Sequence, residues 1–166
     1  ELDPRAREFL QRLFFALSGE YRYLDVWNHP SEGNGYLDVL PQAPALPWAW
    51  LSEEELDTYA AVFDRTGFGG GLCWYRAYDA NWLASAPYEG ADITVPTLFV
   101  AGDRDPVITM SGPGALERMS AAVPDLRGIH LHPAAGHFVQ MERSAEVDAL
   151  LVRFVSDVVS PAGSAE

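Results

Sequence analysis

The hydrophobic positions follow different rhythms in the two halves of the chain. Up to residue 86, apolar residues recur every three or four positions, a spacing that predicts helices with one buried face. The helices predicted in this way cover about 3–18, 52–65 and 72–84. Between the first two helices, residues 20–47 are rich in glycine, proline and aromatic residues, and we expect the aromatic side chains to pin this loop to the helices.

Beyond residue 95, the chain alternates between short runs typical of strands and helical spacing. Thr97–Ala101 is apolar, is bounded by Pro96 and Gly102, and predicts a strand covered on both faces. A helix at 111–123, a strand at 127–132 and a helix at 142–159 complete the pattern. This order predicts a right-handed βαβ unit with two parallel strands, whose carboxyl ends meet at the same edge of the sheet.

Capping signals mark where two of the helices begin. Asp3 is the expected N-cap of the first helix because Pro4 suits the first helical position. Ser52 and Glu55 form a capping-box pattern at the start of the second helix. The glycine-rich segment at 67–71 is expected to interrupt the helical pattern. It follows a helix and has no Lys-Ser or Lys-Thr ending, so it does not match a phosphate-binding loop.

Candidate catalytic side chains follow the two predicted strands. Asp105 comes just after the first strand, and His137 comes 32 positions later, after the second. A histidine is the usual general base, and a carboxylate beside it fixes its tautomer and stabilises the imidazolium. Asp103 is the alternative acid, while His130 and His132 are alternative bases that we expect to be structural or surface residues.

Charge and cysteine content narrow the class of protein. The 24 acidic and 11 basic residues give a net charge of −13, which disfavours binding to nucleic acid or anionic membranes. No apolar run is long enough for a membrane span. The single cysteine, Cys73, excludes an internal disulfide and indicates a reducing compartment, so we predict a cytoplasmic protein. Cys73 lies among aromatic residues and is expected to be buried.

Four segments carry a resemblance to a known family. Val95–Val107, with its Ala-Gly-Asp-Arg-Asp-Pro-Val ending, and Ala135–Glu142, with its Gly-His turn, resemble the C-terminal part of an α/β-hydrolase. Thr66–Arg76, which contains Trp-Tyr-Arg, and the downstream Asn81-Trp82 resemble the lid of the epoxide hydrolase branch.

The resemblance implies an α/β protein with a partial α/β-hydrolase fold. Residues 1–92 would form a helical lid, and residues 93–160 the C-terminal βαβα part of the parallel sheet. Residues 161–166 are expected to form a tail.

The resemblance also implies a reaction, the hydrolysis of a small-molecule epoxide to a vicinal diol without a cofactor or metal. In this family an aspartate attacks the epoxide to give an ester, and a His–acid pair then activates water. Asp105 matches the acid, His137 matches the base, and Tyr75 matches a lid tyrosine that donates a hydrogen bond to the epoxide oxygen.

The nucleophile of this family has no match in the sequence. In α/β-hydrolases the nucleophile precedes the acid and the histidine, so both it and a second lid tyrosine are expected before residue 1. We therefore expect the chain to be inactive alone and to pair with the missing N-terminal half or with another copy. The alternatives are a haloalkane dehalogenase-like hydrolase and a non-catalytic remnant or interaction module.

Overall fold

The computed structural model describes residues 1–26 and 32–160, so the tail predicted at 161–166 lies outside the described residues. The chain divides into two compact units. The first consists of 1–16 and 23–91, and the second of 17–22 and the chain from Asp92 onward. The boundary predicted between a lid at 1–92 and a sheet region at 93–160 stays a prediction.

The first unit is helical throughout its described elements. A 3-10 turn, Asp3–Arg5, leads into the first helix, and another, Ala86–Tyr88, follows the last. The helices are α1 (Ala6–Leu17, whose last residue belongs to the second unit), α2 (Tyr23–Val26), α3 (Tyr36–Val39), α4 (Glu53–Thr66), α5 (Gly69–Arg76) and α6 (Tyr78–Ser85).

Aromatic side chains form much of the interior of the first unit. The ring of Phe9 on α1 meets the ring of Phe68 edge to face at 5.1 Å, and Phe68 stacks on Phe63 at 4.3 Å. Tyr36 also meets Phe9 edge to face, at 5.6 Å. The segment predicted as an irregular loop contains the short helices α2 and α3, and Tyr36 begins α3. Its ring contact with Phe9 agrees with the expectation that aromatic side chains hold this segment against a helix.

One of the two capping predictions is confirmed and the other is wrong. Ser52 caps α4: its hydroxyl accepts from the N–H of Glu55 at 3.2 Å, and the Glu55 carboxylate accepts from the N–H of Ser52 at 2.7 Å. Asp3 lies inside the 3-10 turn and does not cap α1. Its carboxylate instead accepts from the N–H of Phe68 at 3.0 Å, immediately before α5, where an acidic group also suits the helix dipole.

The glycine-rich segment departs from the prediction. Gly69, Gly70 and Gly71 form the first turn of α5, and the predicted helix at 72–84 is divided at Ala77 into α5 and α6. Glycine weakens a helix but does not forbid one. Cys73 is exposed rather than buried, because α5 has no buried residue on any of its faces.

The second unit contains the parallel strand pair that the sequence predicts. Strand β1 (Thr97–Gly102) pairs in parallel with β2 (Leu126–His132), and Gly102 lies opposite His132, so both strands end at the same edge. Within the described residues, only Ala101 and Gly102 at the end of β1 are buried, and the first four residues of the strand are half-buried. The prediction that both faces of this strand are covered is therefore met only at its end. The helices are α7 (Pro106–Met110), α8 (Ala115–Ala121), α9 (Val139–Glu142) and α10 (Ser144–Val159).

Turn residues shorten the predicted helices of the second unit. Gly112 and Gly114 have φ angles of 79° and 74°, so the helix predicted from 111 begins only at Ala115. The helix predicted from 142 is preceded by the short α9, with Arg143 between α9 and α10. None of the helices within 1–26 and 32–160 is long and apolar enough to cross a membrane.

Candidate functional site

The site lies in the second unit, where β1 ends in an acidic turn. A side chain at Gly102 would place its Cβ 2.2 Å from the carbonyl oxygen of Ala135, so only glycine allows this close approach. Three residues later, Asp105 caps α7: its Oδ1 accepts from the N–H of Val107 at 2.9 Å. The missing Cβ and the helix cap together place the Asp105 carboxylate beside the turn that follows β2.

The turn after β2 is bonded to the acidic turn through the main chain. The N–H of Arg104 donates to the carbonyl of Ala135 at 2.9 Å, and the N–H of Ala134 donates to Oδ1 of Asp103 at 2.8 Å. Ala134 has a φ of 55°, a left-handed conformation uncommon for a residue other than glycine. The two turns are therefore a single hydrogen-bonded structure, and His137 follows directly from it.

Asp105 and His137, the predicted acid and base, are brought together. Nδ1 of His137 lies 3.1 Å from both carboxylate oxygens of Asp105. The Asp105 side chain is 11% exposed, whereas the His137 side chain is 41% exposed. A proton on Nδ1 makes the hydrogen bond to the carboxylate, so the neutral ring presents its lone pair at Nε2. An imidazole held in this way is able to take a proton from water or from a hydroxyl group.

The alternative residues have other environments. The carboxylate of Asp103 accepts from a main-chain N–H, as described above. His130 lines a groove together with Leu98, Arg153 and Asp157, and Nε2 of His132 is buried without a hydrogen-bond partner. The side-chain bonds described for Asp105 go to Val107 and His137, and neither alternative histidine takes part in them.

A buried glutamate at the site was missed from the sequence. The Glu142 carboxylate accepts from the N–H of Gly136 at 3.0 and 3.1 Å and from the N–H of Gly19 at 2.8 Å. Its signal in the sequence is weak: an acidic residue that follows the apolar stretch after His137.

The last residue of α1 and the segment that follows it also belong to the site. The carbonyl of Leu17 accepts from the N–H of His137 at 2.9 Å, and the carbonyl of Gly19 accepts from Nη1 of Arg104 at 2.7 Å. The first helix, predicted over about 3–18, ends at Leu17. The contact of Gly19 with the histidine turn has no local signal in the sequence.

Tyr75, the third predicted site residue, belongs to the first unit. It lies in the last turn of α5, and the residue is 73% exposed. Its catalytic role stays a prediction. Among the described residues, no group of three or more His, Cys, Asp or Glu side chains is arranged to hold a metal ion.

Comparison with known proteins gives relatives of one kind. No family model matches the chain. Epoxide hydrolase A from Mycobacterium tuberculosis is 45% identical over 126 residues, which cover 74% of this chain and 37% of the relative. Epoxide hydrolase 1 from Siraitia grosvenorii is 39% identical over 127 residues, which cover 74% of this chain and 39% of the relative. The chain thus spans well under half the length of these curated relatives.

Solved structures agree with the sequence comparison. An epoxide hydrolase from an endophytic Streptomyces superposes with a TM-score of 0.86 at 32% identity, over 96% of this chain and 48% of that structure. Epoxide hydrolase A from Mycobacterium thermoresistibile gives a TM-score of 0.77 at 41% identity, over 92% and 46%. The predicted partial α/β-hydrolase fold is thereby confirmed. By sequence and by fold, this chain belongs with the C-terminal part of the epoxide hydrolases of the α/β-hydrolase fold.

Proposed function

We propose that this chain supplies the acid–base pair of an epoxide hydrolase, an enzyme that adds water to an epoxide to give a vicinal diol. The observation that carries the proposal is the position of His137 Nδ1, 3.1 Å from both oxygens of the shielded Asp105 carboxylate. The similarity to proteins named epoxide hydrolases supports this reaction over the haloalkane dehalogenase alternative.

The first step of the proposed reaction forms an ester. A nucleophilic carboxylate, supplied by the part of the protein that precedes this chain in its relatives, attacks an epoxide carbon. The ring C–O bond breaks as the new C–O bond forms. Tyr75 donates a hydrogen bond to the epoxide oxygen and transfers its proton to the alkoxide as it develops. Residues 1–92, which include Tyr75, serve as the lid region in this proposal.

The second step releases the diol. Nε2 of His137 removes a proton from water, and the water oxygen adds to the ester carbonyl carbon. The ester C–O bond then breaks, and the departing alkoxide takes up the proton held by the imidazolium, which frees the diol. The proton of the released carboxylic acid returns to the Tyr75 phenolate, so the nucleophilic carboxylate, His137 and Tyr75 are all regenerated. Asp105 stays ionised in this scheme, and it both orients the imidazole and stabilises the imidazolium that forms. No cofactor or metal enters either step.

The remaining part of the enzyme is the partner that this proposal requires. The chain spans 37% of the length of Epoxide hydrolase A, and the nucleophile is assigned to the rest. We propose an N-terminal half as the source of the nucleophile. A second copy of this chain is the alternative partner, but it would bring no nucleophile, and we expect no turnover by the chain alone. The predicted cytoplasmic location is retained as part of the proposal.

A chimera tests the function directly. This chain replaces the matching C-terminal part of the Mycobacterium tuberculosis Epoxide hydrolase A, and diol formation from a small aryl epoxide is measured. We expect turnover by the chimera. In the His137→Gln variant we expect an ester that accumulates and raises the protein mass by that of the epoxide, because water is no longer activated.

His130→Gln is the matched control. His130 lies on β2 and lines the groove with Leu98 and Arg153, and it has no described bond to Asp105. We expect this variant to turn over without accumulating ester. A His137→Gln chimera that releases diol at the unsubstituted rate would refute the assignment of the base. A correctly folded, unsubstituted chimera without any epoxide hydrolysis would refute the proposed function.

A further inference from the structure

We propose that Glu142 is a positioning residue that holds the histidine turn so that His137 faces Asp105. None of the hydrogen bonds described for its carboxylate goes to the imidazole. It acts through the main chain on the residue before the histidine, Gly136, and on Gly19. The relevance of this role to catalysis rests on the proposed function, but the positioning itself does not.

The hydrogen bonds of Glu142 suit this role because main-chain N–H groups donate all of those described for its carboxylate. Both carboxylate oxygens accept from the N–H of Gly136, and Oε2 also accepts from the N–H of Gly19. Glu142 is only 9% exposed, and a buried carboxylate needs such donors because it has lost its water. Hydrogen bonds to an ionised acceptor are stronger than those between neutral groups, so these bonds hold Gly136 and Gly19 firmly.

Close packing around Gly136 and Gly19 links the Glu142 hydrogen bonds to the main chain of His137. A Cβ at Gly136 would lie 2.4 Å from the carbonyl oxygen of Leu17, and a Cβ at Gly19 would lie 2.2 Å from that of Ala134. The same Leu17 carbonyl accepts the N–H of His137. The main chain is therefore held at two successive residues, Gly136 by the Glu142 carboxylate and His137 by the Leu17 carbonyl.

The position of the ring depends on this support. The His137 ring lies beside two carboxylate oxygens at equal distances, while 41% of its side chain is exposed. Little else in the described contacts of the ring restrains it, apart from the edge of Phe138 at 5.3 Å. A displacement of about 1 Å in a catalytic group costs roughly 100-fold in rate. Release of the turn is therefore expected to affect the chemical step more than substrate binding.

The test uses Glu142→Ala and Glu142→Gln, with Val123→Ala as the control for lost stability. Val123 is buried in the same unit and has no part in the turn. The first readout is the ring ¹⁵N chemical shifts of His137 in this chain, which report the tautomer. The second is kcat and KM of the chimera described above.

We expect the unsubstituted chain to show mainly the Nδ1–H tautomer. Glu142→Ala should mix the two tautomers, and in the chimera it should lower kcat roughly 100-fold with less than a threefold change in KM. Glu142→Gln keeps the shape but offers one acceptor oxygen, so the same changes should be smaller. Val123→Ala should lower the melting temperature and leave tautomer and kcat unchanged.

Two results would overturn the proposal. One is a Glu142→Ala chain that loses stability yet keeps the tautomer and kcat, as in the Val123→Ala control. The other, which decides the case if Glu142→Ala fails to fold, is a Glu142→Gln chain with an unaltered tautomer. A chimera without activity would count against the proposed function alone, because the ¹⁵N shifts test the positioning without any substrate.

Discussion

The carboxylate of Asp103 accepts a hydrogen bond of 2.8 Å from the main-chain N–H of Ala134. This contact separates the roles of two acidic residues that lie two positions apart in one turn. Asp103 is exposed and joins the turns after β1 and β2, whereas Asp105 is buried, caps α7 and reaches the ring of His137. Asp103 is thus a structural residue of the turn, and Asp105 is the partner of the histidine.

Replacement of Asp105 by asparagine should remove most of the activity of the chimera. Asparagine keeps the shape but loses the charge that stabilises the imidazolium, and its amide group favours the wrong histidine tautomer. We expect kcat to fall on the order of 10⁴-fold. Steady-state kinetics on an aryl epoxide would measure the loss.

Asp103→Asn is the matched control for that variant. The asparagine oxygen is still able to accept the N–H of Ala134, so kcat should stay within roughly tenfold of the unsubstituted value. Equal losses in the two variants would contradict the assignment of separate roles to Asp103 and Asp105.

Tyr75→Phe should slow epoxide opening if Tyr75 donates to the epoxide oxygen. Loss of one such donor costs roughly 10²- to 10³-fold in the rate of the chemical step. Single-turnover measurement of ester formation in the chimera would detect this loss separately from the hydrolysis of the ester.

Tyr78→Phe controls for the removal of a phenol hydroxyl nearby in the sequence. Tyr78 is exposed at 71%, like Tyr75, but it belongs to α6. We expect little change in this variant. Normal ester formation by Tyr75→Phe would argue against its role as donor and would revive the dehalogenase interpretation.

The strand pair and the proximity of Asp105 to His137 were predictable because their signals are local. The apolar run at Thr97–Ala101 and the turn residues on either side of it indicate where β1 ends, and the parallel arrangement then brings Asp105 and His137 to one edge. Chain order, turn residues and side-chain chemistry are enough to predict this arrangement without any knowledge of distant contacts.

The role of Glu142 was not predictable, for a physical reason. Its carboxylate binds the N–H of Gly19, 123 positions away, and every non-proline residue offers the same N–H group. The sequence therefore has no local pattern for the contact. The exposure of Cys73 was misjudged for a related reason, since aromatic neighbours indicate burial only where another element covers the helix.

The capping box of α4 predicts a pH-dependent contribution to stability. Hydrogen bonds from the hydroxyl and N–H of Ser52 lower the pKa of Glu55 from its ordinary value of 4.5. The contribution of the ionised carboxylate is thus present above that value and is lost as the pH falls through the lowered pKa of the folded chain. Ser52→Ala should lower the free energy of unfolding by about 1 kcal/mol at pH 7, and by less at acidic pH.

Urea unfolding followed by circular dichroism at pH 7 and pH 3 would measure that difference. Thr58→Ala serves as the control, because Thr58 is an exposed residue within α4 whose hydroxyl bonds to the carbonyl of Glu54. Its effect should not depend on pH. A Ser52→Ala effect that grows at pH 3 would show the predicted sign to be wrong.

Two glycine substitutions should have opposite effects on stability. Gly136→Ala would drive a methyl group into the carbonyl of Leu17, and we expect overpacking to cost about 1–3 kcal/mol. Gly70→Ala adds a methyl group in α5 where nothing lies within 4 Å, and it should stabilise the helix by about 0.5–1 kcal/mol. Shifts of the urea midpoint in the same direction would contradict this account of the turn.

The bond between Gly19 and Glu142 joins an early part of the chain to a late one. During synthesis the ribosome releases Gly19 long before Glu142, so this contact has to wait until most of the polypeptide has been translated. Contacts of such long range carry a large entropic cost and form slowly. The histidine turn is therefore expected to acquire its final geometry among the latest events of folding.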